Sequence, residues 1–333
     1  MGLFNKNKDI KSISDDEKEQ NNYFSNVFDE VDKEIQEERD ERIRKENEAE
    51  KARNERIQKI EATDICFNVA DFKGFEKPYE PDADGKMRFV LDNCQPYSVI
   101  LSEIQEIDGS TIIASGRVFG TVNSDSESFI YLPSGKIVKT TLGKIYDKDL
   151  NPVDSIKDDI INIKVAKEPK RSIPRFTVLS SFCSVAKDSQ VMTNPLMYAY
   201  TLGFKELHND SEFSSVFVYT FVHTKFSTPA IRSEDGRPGF LMLKPSKDAA
   251  TAELPLFTDI QSMTVAEKKM NTQQGNNKVA AVVSFVGVAK NLLDAGNGIV
   301  INPFTPCPIM IPNKLIREIT EIESFRKEFN FGQ

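Results

Sequence analysis

Residues 254–315 constrain the fold more than any other part of this chain, because short β-branched runs alternate there with segments of helical apolar spacing. The order of these patterns predicts strand, helix, strand, helix, strand, a tight turn at Asn302 and Pro303, and a last strand. A helix over 313–329 follows, with its apolar residues on one face. Interleaved strands and helices are typical of α/β or α+β domains, so we predict one such domain over 194–333.

The front part of this predicted domain carries three further signals. Asn194 before Pro195 is typical of a helix start, since Pro is favoured at the first helical position. The stretch SVFVYTFVH over 215–223 is predicted to be a strand. The stretch over 226–238, which is rich in Ser, Pro, Gly and charged residues, predicts a loop.

The middle of the chain, 86–168, changes to period-two alternation interrupted by turn sequences. Strands are predicted over 87–91, 97–107, 111–121, 128–132, 136–141 and 160–166. Short strands at such regular spacing are typical of a small closed β-barrel. A linker over 63–85 precedes this predicted barrel, and a strand-bearing connection over 169–193 follows it.

Residues 1–62 contrast with the rest, because 15–62 contain no Pro or Gly and are dominated by charged residues and Asn. This composition predicts one long helical extension, and so a multidomain chain. Apolar residues in its first half have the spacing of one helical face: Phe24, Val27, Phe28, Val31 and Ile35. Such a stripe predicts docking on a protein, either on this chain or through self-association in a coiled coil. The second half is typical of a solvated helix.

Residues 109–118 (GSTIIASGRV) resemble a hairpin of the second, β-barrel domain of the translation GTPases. In that family the hairpin reads Gly-x-Gly-Thr-Val-Val-x-Gly-Arg-Val, a Gly-Asp turn follows it, and Gly-Asp-x-Val ends the closing strand. This chain lacks one hairpin glycine, and it has Asn-Ser-Asp at 123–125 and Asp-Asp-Ile at 158–160. The resemblance implies a barrel but not GTP hydrolysis, because the sequence contains no GxxxxGK[ST] loop.

Residues 254–259 (LPLFTD), 298–303 (GIVINP) and 312–315 (PNKL) resemble, in order and spacing, the SseB N-terminal-domain family. These are the enhanced-serine-sensitivity proteins of bacteria. The resemblance implies an SseB-like α/β domain and a bacterial cytoplasmic setting. The family as a class has no established biochemical activity, so the resemblance implies no catalytic residue.

Composition narrows the partners that we expect. The 333 residues carry a net charge of −8, which disfavours DNA binding because phosphate attraction needs a basic face. The four cysteines have no CxxC spacing, so no zinc site and no other metal or cofactor is expected. The sequence has no apolar run of signal-peptide or membrane-spanning type. We therefore expect a cytoplasmic protein without a membrane partner.

The turn at 302–304 is the candidate site in the C-terminal half. One interpretation is that Asn302 closes the turn by hydrogen bonding to backbone. The other is that a rigid loop presents Asn302, Pro303 and Phe304 to a partner. Cys307 lacks a base near it in sequence, as a nucleophilic thiol would need. His208 is predicted at a helix end, where it interacts with the helix dipole.

Taken together, these patterns predict a non-enzymatic adaptor or scaffold that binds a protein partner. The predicted binding surfaces are the loop 302–304 and the apolar stripe within 24–35. An alternative is a ribosome- or RNA-associated factor that uses the barrel. A second alternative is an enzyme that acts on a small molecule in a pocket between the domains.

Overall fold

The computed structural model describes residues 36, 39–45, 47, 48, 50–55, 57, 64–69, 97–167, 172–181, 194–232, 238–244, 249–269 and 278–331. The chain divides into two compact units, 1–61 and 62–333. None of the helices described here combines the length and apolar character needed to cross a membrane.

In the N-terminal unit the described residues are helical and mostly exposed. Lys45 Nζ lies 2.7 Å from Glu41 Oε1, one turn away, and pairs of this kind stabilise a solvated helix. The structure does not support the single long helix predicted over 1–62, since most of that segment lies outside the described residues. The stripe predicted for coiled-coil self-association also lies outside them: Phe24, Val27, Phe28, Val31 and Ile35.

The described residues in the first half of the larger unit form one ten-stranded sheet, almost entirely antiparallel. Its strands are β1 (Phe67–Asn68), β2 (Tyr97–Asp108), β3 (Thr111–Asn123), β4 (Glu127–Tyr131), β5 (Ile137–Thr141), β6 (Ile145–Tyr146), β7 (Pro152–Val153), β8 (Ser155–Lys157), β9 (Ile160–Ala166) and β10 (Thr177–Ser180). The order is β5-β4-β10-β2-β3-β9-β6-β7, with β8 beside β3 and β1 parallel to β9. The strands predicted from 97 to 166 are confirmed, whereas 87–91 lies outside the described residues.

The long β2–β3 hairpin is formed by local turn chemistry. Asp108 Oδ1 accepts hydrogen bonds from the backbone N of Ser110 at 2.7 Å and from its hydroxyl at 2.8 Å, so the turn closes on itself. Further along β3, Gly116 lies against the backbone of Ile100, where an added Cβ would collide with the carbonyl oxygen. A glycine is therefore required at this close approach.

Inward-facing residues of the sheet pack into a single buried cluster. Val138 of β5 and Ile145 of β6 both belong to it, although these strands lie near opposite ends of the strand order. The sheet must therefore curve around this cluster. Phe67 of β1 and the neighbouring Val69 are also buried in it, and the backbone N of Cys66 donates to the carbonyl of a β9 residue at 2.7 Å.

The second half of the larger unit mixes helices and strands. Its elements are α1 (Pro195–Leu207), α2 (Ser211–His223), β11 (Lys225–Arg232), β12 (Pro238–Phe240), β13 (Glu253–Leu256), α3 (Ile260–Lys269), β14 (Lys278–Ser284), α4 (Phe285–Ala295), β15 (Gly298–Ile301), β16 (Ile309–Ile311), α5 (Asn313–Glu321) and α6 (Glu323–Phe329). They include two three-stranded sheets, β12-β11-β14 and β13-β15-β16, and β13 runs parallel to β15. The larger unit is therefore mixed α/β with a large antiparallel sheet.

Two local predictions in this region are wrong. The segment 215–223, predicted as a strand, belongs to helix α2, because Asp210 Oδ1 caps its first turn by accepting from the backbone N of Glu212 and Phe213 at 2.9 and 3.1 Å. The segment 226–238, predicted as a loop, contains most of β11, which pairs with β14 at seven positions. The helix predicted over 313–329 is divided into α5 and α6 at Ile322, whose backbone is not helical.

The outer face of the large sheet packs on the helices that follow it. Phe176 and Val178 share a buried cluster with residues of α1, α2 and α4. The phenol of Tyr200 donates a hydrogen bond of 2.8 Å to the carbonyl of Phe176. Phe213 makes edge contacts with the rings of both Phe176 and Tyr200, at 5.3 and 5.5 Å. This aromatic packing joins the sheet to α1 and α2.

Candidate partner-binding groove

An open groove lies between α2 and the C-terminal pair α5–α6, with a volume of about 530 Å³. We call it the helical groove. Its apolar lining comprises Val218, Tyr219, Val222, Ile319, Ile322, Phe325 and Phe329. Tyr219 is 49% exposed and Ile322 is 46% exposed, so both apolar walls reach solvent.

The sequence of α2 explains why this helix contributes to both the core and the groove. Phe213, Phe217 and Phe221 are four residues apart and buried, which fixes one face against the core. The adjoining face lines the helical groove with Val218, Tyr219 and Val222. Apolar residues thus cover more of this helix than its core packing uses, and an ordinary surface helix would be polar there.

His223 and Glu328, which both line the helical groove, contact each other. His223 Nε2 lies 2.7 Å from Glu328 Oε1, and His223 Nδ1 lies 2.7 Å from the carbonyl oxygen of Tyr219. Both ring nitrogens therefore lie beside oxygen atoms. The imidazole also packs on the rings of Tyr219 at 4.2 Å and Phe329 at 5.3 Å. His223 therefore fixes the position of the exposed Tyr219.

The predicted turn at 302–304 has a buried side and an exposed side. Asn302 is 1% exposed, and its Oδ1 accepts from the backbone N of Thr258 at 3.0 Å. Its Nδ2 donates to the hydroxyl of Thr258 at 2.9 Å, which ties the ends of β13 and β15 together. Pro303 is buried, whereas Phe304 is 42% exposed and Lys269 Nζ donates to its carbonyl at 2.8 Å. The structure thus places the Asn302 side chain against Thr258, beyond its own turn, and leaves Phe304 exposed to solvent.

Asp259 and His208 both have partners at helix ends. Asp259 Oδ1 accepts from the backbone N of Ser262 at 2.7 Å and so caps α3, as its position before a helix predicts. Burial raises the pKa of the Tyr198 phenol. His208 ends α1, where its Nδ1 lies 3.0 Å from the carbonyl of a residue in the last turn. In the part of the chain described above, no group of three or more His, Cys, Asp or Glu is arranged to hold a metal ion.

The structure brings together groove residues that sequence analysis did not connect. Ile319, Ile322, Phe325 and Phe329 were recognised as one face of a C-terminal helix, but not as the wall of a groove. The opposite wall was missed because 215–223 was interpreted as a strand. A helical period was present there in the spacing of the three α2 phenylalanines. The other predicted partner-binding segment, 24–35, lies outside the described residues.

No protein-family model matches the chain, and no curated protein matches it. Among solved structures, the C-terminal domain of a putative U32 peptidase from Geobacillus thermoleovorans is similar, at 16% identity and a TM-score of 0.20. That match covers 26% of this chain and 99% of that chain. These findings give no support to the SseB resemblance of the C-terminal half.

Translation factors are also among the similar structures. The elongation factor SelB from Methanococcus maripaludis, in its apo form, has 14% identity and a TM-score of 0.23, covering 57% of this chain and 36% of that chain. Sup35 complexed with GMPPNP has 11% identity and a TM-score of 0.22, covering 57% of this chain and 39% of that chain. At such low scores these similarities carry no argument about function.

Proposed function

We propose that this protein is a non-enzymatic adaptor or scaffold, which binds an amphipathic helix of a partner protein in the helical groove. The observation that carries the proposal is the exposure of Tyr219 and Ile322 on opposite walls of one apolar groove. Exposed apolar surface that is contiguous and walled on two sides is a common feature of protein-binding sites.

The shape and lining of the groove favour a helix as the occupant. The walls come from helices, and an amphipathic helix can fill a groove of this kind with apolar residues spaced at i, i+3, i+4 and i+7. Tyr219 supplies a large apolar ring with a polar tip, a residue type that often dominates binding energy. Ser214, Ser215 and Ser324 also line the groove. Together with His223 and Glu328 they supply polar groups beside the apolar lining, and interfaces usually combine the two.

Affinity capture with matched variants tests this proposal. The double variant Tyr219→Ser/Ile322→Ser removes both exposed groove anchors, and Val265→Ser/Met310→Ser is its control. Val265 is 44% exposed and Met310 is 55% exposed, but neither lines the groove. We expect the wild type and the control to retain the same partner, and the groove variant to lose it. Equal retention by all three proteins would exclude the helical groove as the binding site.

We also make two proposals about the families that the two halves of the larger unit resemble. We propose that the curved sheet over 97–180 is a barrel of the translation-factor second-domain type, supported by the sequence of the β2–β3 hairpin and by the single interior cluster. We also propose that 194–333 is an SseB-like domain in a bacterial cytoplasmic protein. The parallel pair β13–β15 and the turn at Asn302 lie within the segments that carry this resemblance.

A second candidate function is a ribosome- or RNA-associated factor. The hairpin sequence at 109–118 is the observation that favours it. Cosedimentation of the purified protein with ribosomes at moderate salt tests this function directly. Recovery in the ribosomal pellet that falls as salt rises would support it, because phosphate contacts are salt-dependent. Absence from the pellet at low salt would exclude it.

A further inference from the structure

The strand β14 forms one edge of the sheet β12-β11-β14. It pairs with β11 along its whole length, and among the described residues no other strand pairs with it. In an antiparallel pair, backbone N–H and C=O groups point alternately toward the partner strand and away from it. Among the described residues, the outer row of β14 therefore has no partner strand.

The composition of β14 is unusual for an edge strand. From Val279 to Ser284 it carries no charged residue and no Pro. Ala280 is exposed and Val282 is 40% exposed, so apolar side chains face solvent on one side of the strand. Natural sheet edges are usually protected from pairing by charges, Pro or bulges. None of these occurs over 279–284.

We propose that β14 pairs with β14 of a second copy of this chain, across a two-fold axis at Ala281. In this register Val279 lies opposite Val283 of the second copy, and Ala280 lies opposite Val282. The β12-β11-β14 sheet of one copy then joins the β12-β11-β14 sheet of the other into one continuous sheet of six strands. A two-fold contact of this kind is isologous and closed, so it gives a dimer and not a fibre.

The sequence of the strand favours a second copy as the occupant because it is self-complementary in this register. On the solvent-facing side, Ala280 of each copy contacts Val282 of the other copy. These two apolar cross-strand pairs stabilise an antiparallel pair of strands. Lys278 is the one charged residue of the strand. In this register its two backbone positions lie roughly 20 Å apart along the strands, at a rise of about 3.4 Å per residue.

Light scattering during size-exclusion chromatography of the full-length protein, over a range of concentrations, tests the dimer. We expect a mass twice that of the 37.6 kDa chain, falling toward one chain on dilution. Two variants test the register. In Ala280→Lys/Val282→Lys each lysine lies opposite a lysine of the other copy, and we expect dimer affinity to fall at least tenfold. In Ala280→Glu/Val282→Lys each glutamate lies opposite a lysine, and we expect the dimer to persist.

The two variants change the same exposed positions and differ only in the sign of the charge at 280, so circular dichroism melting can verify that both fold. A wild type that stays monomeric at the highest concentration it tolerates would overturn the proposal. The register would be overturned if both variants dimerised equally well. It would also be overturned if both lost dimer affinity equally while both stayed folded. Binding of an unrelated protein's strand to a monomeric wild type would identify a different occupant and equally refute it.

This inference is independent of the proposed adaptor function. The residues of β14 do not line the helical groove. The variant Tyr219→Ser/Ile322→Ser is expected to lose partner capture and to keep the dimer mass. The variant Ala280→Lys/Val282→Lys is expected to lose the dimer, and its groove residues are unchanged. Failure of one proposal is therefore distinguishable from failure of the other.

Discussion

Arg175 contacts Asp210 across the junction between the large sheet and helix α2, with Nη2 lying 2.6 Å from Oδ2. The same guanidinium donates from Nη1 to Glu212 Oε2 at 2.6 Å and from Nε to the carbonyl of Ser102 at 2.8 Å. It also lies over the ring of Phe176, 4.7 Å from the centroid. One side chain therefore connects β2, the segment before β10 and the first turn of α2.

The first prediction concerns the stability contributed by Arg175. Arg175→Ala removes the pairing and the cation–π contact at a side chain that is 37% exposed, so we expect a loss of about 1–2 kcal/mol in the free energy of unfolding. Lys327→Ala is the control, because Lys327 makes a single exposed pair with Glu323. Its loss should be below about 0.5 kcal/mol. Urea unfolding measures both, and equal losses would contradict a bridging role for Arg175.

The second prediction follows from the low pKa of Asp210. The hydrogen bond from Arg175, followed by that from the backbone N of Phe213, holds the pKa of this carboxyl below its usual value. A group with a depressed pKa in the folded state stabilises the protein above its unfolded pKa, near 3.9, and loses that effect as pH falls through the folded pKa. The melting temperature of the wild type should therefore fall in acid, below about pH 4.

Asp210→Asn tests this pH dependence. The amide cannot titrate, so the variant should be less stable at neutral pH and should lose less stability than the wild type between neutral pH and acid. Thermal melting as a function of pH measures the two profiles. Parallel profiles for the wild type and the variant would show that Asp210 does not contribute to the acid sensitivity.

The third prediction compares two glycines of the β2–β3 hairpin. An alanine Cβ at Gly116 would collide with the backbone of Ile100, so Gly116→Ala should cost about 1–3 kcal/mol. Gly109, in the turn, has open space around the same Cβ position, and Gly109→Ala should change stability by less than about 0.5 kcal/mol. Denaturant unfolding of both variants gives the difference. A similar cost at both positions would mean that the close approach of β2 and β3 is not as described.

The fourth prediction compares the stability contributed by Asn302 and by Phe304 in the turn after β15. Asn302→Ala leaves the buried backbone N of Thr258 without its acceptor and should cost about 2–3 kcal/mol. Phe304 is exposed and has a φ of 65°, a left-handed conformation that favours glycine. Phe304→Gly should therefore keep or raise stability, as measured by thermal melting. A large loss of stability in Phe304→Gly would contradict this view of the turn.

Sequence could predict those parts of the fold that depend on local chemistry. The β2–β3 turn follows from Asp108-Gly109-Ser110, and α4 from Ser284 before an apolar helical run, since each signal lies within a few residues of the element. Helix α2 could not be predicted from 215–223 alone, because that stretch satisfies a strand pattern. Its helical state depends on Asp210 upstream and on ring contacts with distant residues such as Phe176.

The helical groove is harder to predict from sequence than these local elements. Its walls come from segments about a hundred residues apart, and their apolar residues serve equally well as core in a different arrangement. By contrast, one of the two interpretations of Asn302, that it closes its own turn, rests on local chemistry, because an Asn before Pro forms local hydrogen bonds. The structure shows that its main partner is Thr258 on a neighbouring strand, a contact that depends on the parallel pairing of β13 and β15.

Photo-crosslinking from the helical groove tests the adaptor proposal most directly. A photoreactive phenylalanine analogue in place of Tyr219 reports which protein lies within contact distance, and the same analogue in place of Val265 is the control. We predict that position 219 crosslinks to one recurring partner protein, through a peptide with apolar residues at i, i+3, i+4 and i+7. Crosslinks that are equally diverse at both positions, or a recurring peptide without that spacing, would contradict the claim that the groove binds a partner helix.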